Sequence, residues 1–175
     1  MADSLRGHLL IAAPSLHDYF RRTVVLVIEH GPDGAMGVVL NRESEALVAE
    51  AVPQLAELAR EEELVRIGGP VSPQSVVALG EFADPDEAGL QVVGPVGTLD
   101  PDAENSSLRR IRVFAGYTGW APGQLDDELE QDAWVTTPAE PGDPFADGDI
   151  WSEALQRKGG NYRLLSTMPV DPSLN

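Results

Sequence analysis

The architecture of the chain is decided by residues 23–40, which read TVVLVIEHGPDGAMGVVL. Apolar side chains fall on both faces of residues 23–30, and that pattern predicts a strand covered on both sides and central in its sheet. Residues 31–34, Gly-Pro-Asp-Gly, supply turn chemistry, because proline presets φ and glycine accepts positive φ. Residues 35–40 return as a second apolar run. The stretch therefore predicts a β-hairpin.

Outward from this hairpin, short apolar runs predict strands over 9–13, 64–67, 75–79, 90–93, 111–117 and 134–137, with a last strand or extended tail over 162–168. Helices are predicted over 47–58, capped by Ser44 and kinked or split at Pro53, from Pro122, and over 150–158, where Gly159 ends the helix. The chain has no internal repeat and no long linker. We therefore expect residues 1–175 to form a single α+β domain.

The charge of the chain is strongly acidic and unevenly distributed. Asp and Glu number 29 against 12 Lys and Arg, a net charge of -17. The excess lies in residues 67–108 and 113–156, neither of which contains a Lys or Arg. These blocks are either solvated loops and helix faces, or a repulsive shield or docking face for a basic partner. Such a balance argues against direct nucleic-acid binding, which depends on cations that neutralise phosphates.

Several classes of protein are excluded or disfavoured by composition. The absence of cysteine excludes disulfides, thiolate catalysis and Cys-ligated metals. The N-terminus lacks a cationic signal region, and no apolar run is long enough to span a membrane, so we expect a cytoplasmic protein with no membrane contact. The many Ala, Gly, Pro, Asp and Arg residues suggest a GC-rich genome.

No catalytic or metal-binding motif is evident. Ser15, His17 and Asp18 are too close in sequence to converge as a triad, and no G-x-S-x-G elbow occurs. The three histidines lack the spacing of metal ligands, so we expect neither a metal nor a cofactor. Glu29 and His30 are either a polar pair at a strand end or an acid/base pair that lines a pocket.

Glycine-rich and basic segments give further candidates. Gly68-Gly69-Pro70 lacks the pattern of a phosphate loop and predicts a tight chain reversal. The only basic cluster is Arg109, Arg110 and Arg112, which either compensates neighbouring carboxylates or forms a single anion-binding spot. Residues 116–125, GYTGWAPGQL, either build a concave aromatic wall with free backbone N–H donors or simply pack Trp120 beneath a helix.

Taken together, these stretches resemble the YqgE/AlgH family. The resemblance rests on residues 10–16 (LIAAPSL), 28–30 (IEH), 34–42 (GAMGVVLNR), 68–71 (GGPV) and 116–125, and it covers essentially the whole chain in order. Trp134 and Trp151 fall where that family has its later elements. One departure is visible: the family usually has Gly-Trp-Gly, whereas this chain has Gly119-Trp120-Ala121.

The resemblance implies an α+β fold whose mixed or antiparallel, bifurcated sheet forms a pseudo-barrel with a few flanking helices. The family has no established enzymatic activity and has been described as a transcriptional regulator. Its genes often lie beside one for a Holliday-junction-resolvase-like protein.

Three functions follow as hypotheses. The first is a non-enzymatic, cytoplasmic regulatory protein that binds a protein partner through its acidic surface. The second is a small-molecule-binding protein or enzyme with a pocket near residues 116–120. Its candidate lining residues are Glu29, His30, Asn41, Arg42, Gly68, Gly69, Tyr117, Trp120 and Gln124. The third, direct DNA binding, is disfavoured by the net charge.

Overall fold

A computed structural model describes residues 4–14, 20–100 and 106–167. Ser15, His17 and Asp18 lie outside these ranges. The strands are β1 (His8–Ala12), β2 (Val24–Gly31), β3 (Gly34–Val39), β4 (Glu43–Leu47), β5 (Leu64–Ile67), β6 (Val71–Phe82), β7 (Gln91–Val93), β8 (Val96–Thr98), β9 (Leu108–Trp120) and β10 (Trp134–Pro138). The helices are α1 (Val48–Ala51), α2 (Gln124–Glu130), α3 (Ile150–Lys158) and α4 (Tyr162–Leu165). Short 3-10 turns occupy Pro53–Leu55, Pro85–Glu87 and Asp143–Phe145.

The ten strands of the described ranges form one branched sheet. Its main path runs β10-β1-β2-β3-β9-β6-β8-β7. Strand β5 pairs with β4 and, in parallel, with β9, whereas the other pairings are antiparallel. The sheet therefore bifurcates at β9, as the family resemblance implies. Within the described ranges β10 and β7 end the path without pairing with each other, so the sheet is open and not closed into a barrel.

The predicted hairpin is confirmed. Strands β2 and β3 pair from Val25 opposite Val39 to Gly31 opposite Gly34, with a bulge between Val27 and Glu29. Residues 24–27 are fully buried, because the sheet is covered on both faces.

The core divides between the two faces of the sheet because alternate strand residues point to opposite sides. Leu26 and Val38 pack with Trp151 of α3 on one face. Val25 and Val39 pack with Trp120 on the other face, against Leu125 and Trp134. A third cluster lies beneath α1, around β5, β6 and the start of β9. Helix α3 is anchored because the Trp151 indole donates to the Ala12 carbonyl at 2.9 Å.

The helix predicted over 47–58 forms only in part. Residues 43–47 form β4, and the Ser44 hydroxyl, expected to cap a helix, donates to the Val65 carbonyl across the β4–β5 pair. Of residues 47–58, only the four residues of α1 are α-helical. Pro53 begins a separate 3-10 turn, so it splits the segment as predicted. The apolar residues that fit one helical stripe, Val48, Val52 and Leu55, instead pack against β5 and β6 from α1 and the 3-10 turn.

The C-terminal prediction also needs correction. Residues 162–165 form α4 and not a strand, because Gly159 and Gly160 adopt positive φ and turn the chain back against α3. None of the helices within the described ranges is long and apolar enough to cross a membrane.

Candidate functional site

The glycine motifs at residues 68–70 and 116–119 meet where the chain passes from β5 to β6 alongside β9. The Gly68 carbonyl accepts hydrogen bonds from the Val39 N–H at 2.8 Å and the Thr118 hydroxyl at 3.1 Å. A Cβ atom on Gly69 would collide with the backbone of Tyr117. These glycines therefore let two backbones approach closely. The chain reverses direction at residues 68–70, as predicted, because β5 runs parallel to β9 and β6 runs antiparallel to it.

Strand pairing separates the remaining predicted residues between the two faces of the sheet. Glu29 lies opposite Met36, and Met36 lies opposite Gly119. His30 is in the next row, which holds Ala35 and Trp120. Directly opposed residues point to the same face, and successive residues point to opposite faces. Glu29 and His30 therefore do not face one another.

The two aromatic residues of the 116–125 segment are divided in the same way. Tyr117 packs against the cluster that contains Leu26 and Trp151, whereas Trp120 belongs to the cluster on the opposite face. Trp120 is 7% exposed and packs with Leu125 of α2. The two rings consequently do not form a common wall, and Trp120 packs beneath the helix.

The Glu128 carboxylate on α2 accepts hydrogen bonds from three side chains around it. Its Oε1 atom accepts hydrogen bonds from the Trp120 indole at 3.0 Å and the Trp134 indole at 2.9 Å. Its Oε2 atom accepts from the Gln124 side chain at 3.0 Å, and Gln124 in turn accepts the Ala121 N–H at 2.9 Å. The network holds α2 to the ends of β9 and β10.

His30 contacts α2 from the end of β2. Its Nδ1 atom accepts the Leu5 N–H at 3.0 Å, and its Nε2 atom lies 3.6 Å from the Asp126 carboxylate. Because Nδ1 is an acceptor, the neutral ring carries its proton on Nε2, toward Asp126. The acidic neighbour of His30 is thus Asp126, which the sequence pattern does not single out, and not the exposed Glu29.

The hydrogen bonds of Asn41 and Arg42 go to residues outside these two groups. The Asn41 side chain accepts the Val24 N–H at 3.0 Å and donates to the Arg22 carbonyl at 2.8 Å, so it fixes the entry of the chain into β2. Arg42 is half-buried between β3 and β4, and its carbonyl accepts the Ile67 N–H at 2.8 Å. Of the nine predicted residues, the structure brings together Gly68, Gly69 and Tyr117, and separately His30, Trp120 and Gln124 around α2.

Two clefts in the described part of the chain are lined by other residues. The larger, about 830 Å³, is lined by Glu140, Gly142, Asp143, Ala146, Glu153, Gln156, Arg157, Arg163, Ser166 and Thr167. The smaller, about 240 Å³, is lined by Leu58, Ala59, Arg60, Glu63, Arg109, Arg110, Ile111, Arg112 and Phe145. The predicted arginine cluster therefore lies in a cleft.

Ion pairs in and beside these clefts were not predicted from the sequence. Asp143 and Arg157 form a bidentate pair with both N–O distances at 2.8 Å, and this hydrogen bonding raises the pKa of Arg157. Arg66 and Arg112 share Asp147, and burial together with the neighbouring Arg112 charge lowers the pKa of Arg66. The sequence shows the charged residues but not which of them pair, because the partners are 14 to 81 residues apart. Within the described ranges no group of three or more His, Asp or Glu residues could hold a metal ion.

Comparison with known proteins places this architecture in a family. The model of the AlgH-like family matches residues 9–163. A UPF0301 protein of Streptomyces coelicolor is 41% identical over 98% of this chain and 96% of its own length. A UPF0301 protein of Corynebacterium glutamicum is 38% identical over 97% and 96%.

Two solved structures share the fold. A protein of Corynebacterium diphtheriae superposes with a TM-score of 0.85 at 32% identity, covering 95% of this chain and 93% of that one. The solution structure of AlgH from Pseudomonas aeruginosa gives a TM-score of 0.73 at 31% identity, covering 97% and 96%. The open sheet that branches at β9, together with whole-length similarity to these proteins, shows that the chain belongs to the AlgH-like family.

Proposed function

We propose that residues 1–175 form one cytoplasmic domain that regulates a partner protein by binding it, without catalysing a reaction. The partner carries basic side chains and docks on the acidic face, defined as Asp127, Glu130 and Asp132 on α2 and the turn after it. The observation that carries the proposal is that all three carboxylates are exposed and none pairs with a basic side chain within the described ranges.

The placement of these charges opposes the stability of the helix. The C-terminal end of a helix dipole is negative and favours cations, yet the last turn of α2 contains no basic residue. Glu130 and Asp132 instead add negative charge there, and Asp132 adopts a positive φ of 58°. Carboxylates that cost stability at this end are consistent with selection for contact with a cationic partner.

The acidic face also stands on a rigid base. Leu125 is 2% exposed, and Glu128 ties α2 to two indoles and to Gln124. A surface held in one geometry loses little conformational entropy when a partner binds, so less of the attraction between charges is offset by the cost of ordering.

The test compares two triple variants with the same change in net charge. Asp127→Asn/Glu130→Gln/Asp132→Asn removes the acidic face, whereas Glu45→Gln/Glu50→Gln/Glu57→Gln removes three exposed carboxylates near α1. Each protein is immobilised, partners from a lysate of the source cells are quantified by mass spectrometry, and the affinity of a purified partner is then measured at several salt concentrations.

We expect a partner that the control variant retains and the acidic-face variant loses, with wild-type affinity falling as salt screens the charges. Equal retention by both variants, or equal loss, would contradict the proposal. A saturable enzymatic turnover that Asp126→Asn or His30→Ala abolishes would replace it with catalysis at the His30 site.

Direct binding to DNA finds less support in the arrangement of the cations. Arg110 and Arg112 of the basic cluster are paired with Glu81, Glu63 and Asp147, and the cluster lines a narrow cleft where a duplex cannot lie. An extended basic surface is the usual electrostatic requirement for binding a duplex.

A further inference from the structure

The smaller cleft concentrates positive charge in a strongly acidic molecule. It opens between the loop before β5, the first residues of β9 and the 3-10 turn at Asp143–Phe145. Its lining includes one carboxylate, Glu63, and four arginines: Arg60, Arg109, Arg110 and Arg112. The local charge is therefore opposite in sign to the net charge of -17.

Arg112 is buried in the wall of the cleft and retains an unused donor. Its side chain is 4% exposed, and its Nη2 atom donates to the Phe145 carbonyl at 2.9 Å and to Asp147 at 3.2 Å. Its Nε atom lies 3.3 Å from Glu63 but is not aligned for a hydrogen bond, and it finds no acceptor among the described residues. Buried N–H groups are nearly always hydrogen-bonded, so this unsatisfied donor lacks a partner that a ligand bound against it would supply.

Arg110 repeats the arrangement two residues earlier on the same face of β9. Its guanidinium stacks on the Phe145 ring, 4.1 Å from the ring centroid, and its Nη2 atom donates to Glu81 at 3.2 Å. The Nε atom is again buried without an acceptor among the described residues. Stacking and the ion pair hold the Arg110 guanidinium in place, so its Nε–H donor keeps a defined position in the wall of the cleft.

Carboxylates accompany some of the arginines of the cleft but not those at its mouth. Behind Arg112, the buried Arg66 shares Asp147 with it, at 3.0 Å and 3.2 Å. Arg60 and Arg109 are exposed at the mouth and form no ion pair with a described residue. Glu61 and Glu62 line an adjoining recess with Arg60, so the excess of positive charge is confined to the lining of the cleft itself, where four arginines accompany one carboxylate.

We propose that this cleft binds a small phosphate-bearing anion. Arginine forks match the oxygens of a phosphate, and charge-assisted hydrogen bonds to it are stronger than neutral ones. A volume of about 240 Å³ lies below that of the usual cofactor pocket, so it suits inorganic phosphate or a compact phosphomonoester. The site lies on residues that the acidic face does not use, and its failure would leave the proposed partner binding untouched.

The test follows the arginine Nε–H signals of the labelled protein by NMR. Inorganic phosphate, glycerol 3-phosphate and succinate are titrated separately, with the ionic strength held constant by chloride. We expect saturable shifts at Arg110 and Arg112 with one or both phosphates. Binding of glycerol 3-phosphate more tightly than inorganic phosphate would identify the ligand as a phosphomonoester, and the reverse would identify free phosphate.

The variants avoid the buried arginines, whose removal could unfold the chain. Arg60→Gln/Arg109→Gln changes only exposed residues at the mouth, and we expect phosphate affinity to fall about tenfold. The matched control Arg6→Gln/Arg163→Gln removes the same charge from exposed positions outside the cleft and should stay within about twofold of wild type. Arg110→Lys keeps the charge and removes the planar fork, so it should also weaken binding.

Three outcomes would overturn the proposal. They are the absence of saturable shifts with either phosphate, equal loss of affinity in the mouth and control variants, and binding of succinate more tightly than both phosphates.

Discussion

The carboxylate of Glu128 accepts a hydrogen bond from the Trp120 indole at 3.0 Å, which joins α2 to the end of β9. The same oxygen accepts the Trp134 indole, so one side chain satisfies two donors on largely buried rings. We expect Glu128→Ala to lower the free energy of unfolding by roughly 3 kcal/mol, because both indole N–H groups lose their acceptor. Urea denaturation measures this change. Glu130→Ala, at an exposed position of the same helix, is the control, and equal effects of the two would refute the role given to Glu128.

Two glycines in β9 differ in whether the backbone needs glycine at that position. Gly116 has φ of 74°, and a Cβ atom there would lie 2.5 Å from the Gly69 carbonyl oxygen. Gly119 does not adopt positive φ, and its nearest neighbour would be 3.8 Å away. Gly116→Ala should therefore destabilise the protein by more than about 2 kcal/mol, whereas Gly119→Ala should be neutral or stabilise it slightly. Thermal and urea unfolding measure the stability of both variants. Equal destabilisation by Gly116→Ala and Gly119→Ala would contradict the prediction.

The parts of the fold that could be predicted are those set by neighbouring residues. The β2–β3 hairpin follows from dense apolar alternation around a Gly-Pro-Asp-Gly turn, and α3 follows from its apolar stripe and terminal glycine. In contrast, β4 is not predicted, because residues 47–58 fit one apolar helical stripe that begins where the strand ends. What makes 43–47 a strand is its pairing with β5, a contact that local propensity does not encode.

The candidate site shows the same limit more strongly. Gly68 and Tyr117 are both candidate lining residues of the hypothetical pocket, and the backbones of their segments meet. The division of Glu29 from His30 depends on strand alternation, which the sequence contains. The role of Glu128 could not be read from the sequence, because in the acidic run 126–130 it looks like any first-turn carboxylate. Only the tertiary approach of Trp134 singles it out.

Asn41 is expected to act as a structural clamp and not as a ligand contact. Its amide accepts the Val24 N–H and donates to the Arg22 carbonyl, which no apolar side chain can replace. Asn41→Ala should lower the free energy of unfolding by about 2 kcal/mol, since two backbone groups lose partners. Phosphate affinity and partner retention, measured on the folded variant, should equal those of wild type. A selective loss of either, without a loss of stability, would return Asn41 to the list of binding residues.

The Asp143–Arg157 pair should contribute far more to stability than the neighbouring Glu140–Arg157 contact. Asp143 is buried and bidentate at 2.8 Å, whereas Glu140 is 64% exposed and 3.6 Å from the guanidinium. We expect Asp143→Asn to cost about 2 kcal/mol, because a charge-assisted pair becomes a weaker one and leaves Arg157 partly unpaired. Glu140→Gln should change stability by less than about 0.5 kcal/mol. Chemical denaturation of both variants tests the ranking, and a larger effect at Glu140 would reverse it.

Glu87 should make the stability of the protein depend on pH in the acidic range. Its pKa is lowered first by the backbone N–H of Ser107, which donates at 2.9 Å, and further by the Ser106 hydroxyl, also at 2.9 Å. Because the folded pKa lies below the unfolded one, this contribution is fully present above the unfolded pKa and is lost as pH falls through the folded pKa. The difference in unfolding free energy between wild type and Glu87→Gln should therefore shrink on acidification. The exposed Glu57→Gln serves as the control for simple removal of a carboxylate. Denaturation curves collected from neutral to acidic pH would contradict the assignment if the difference between wild type and Glu87→Gln stayed constant, or if it grew as pH fell.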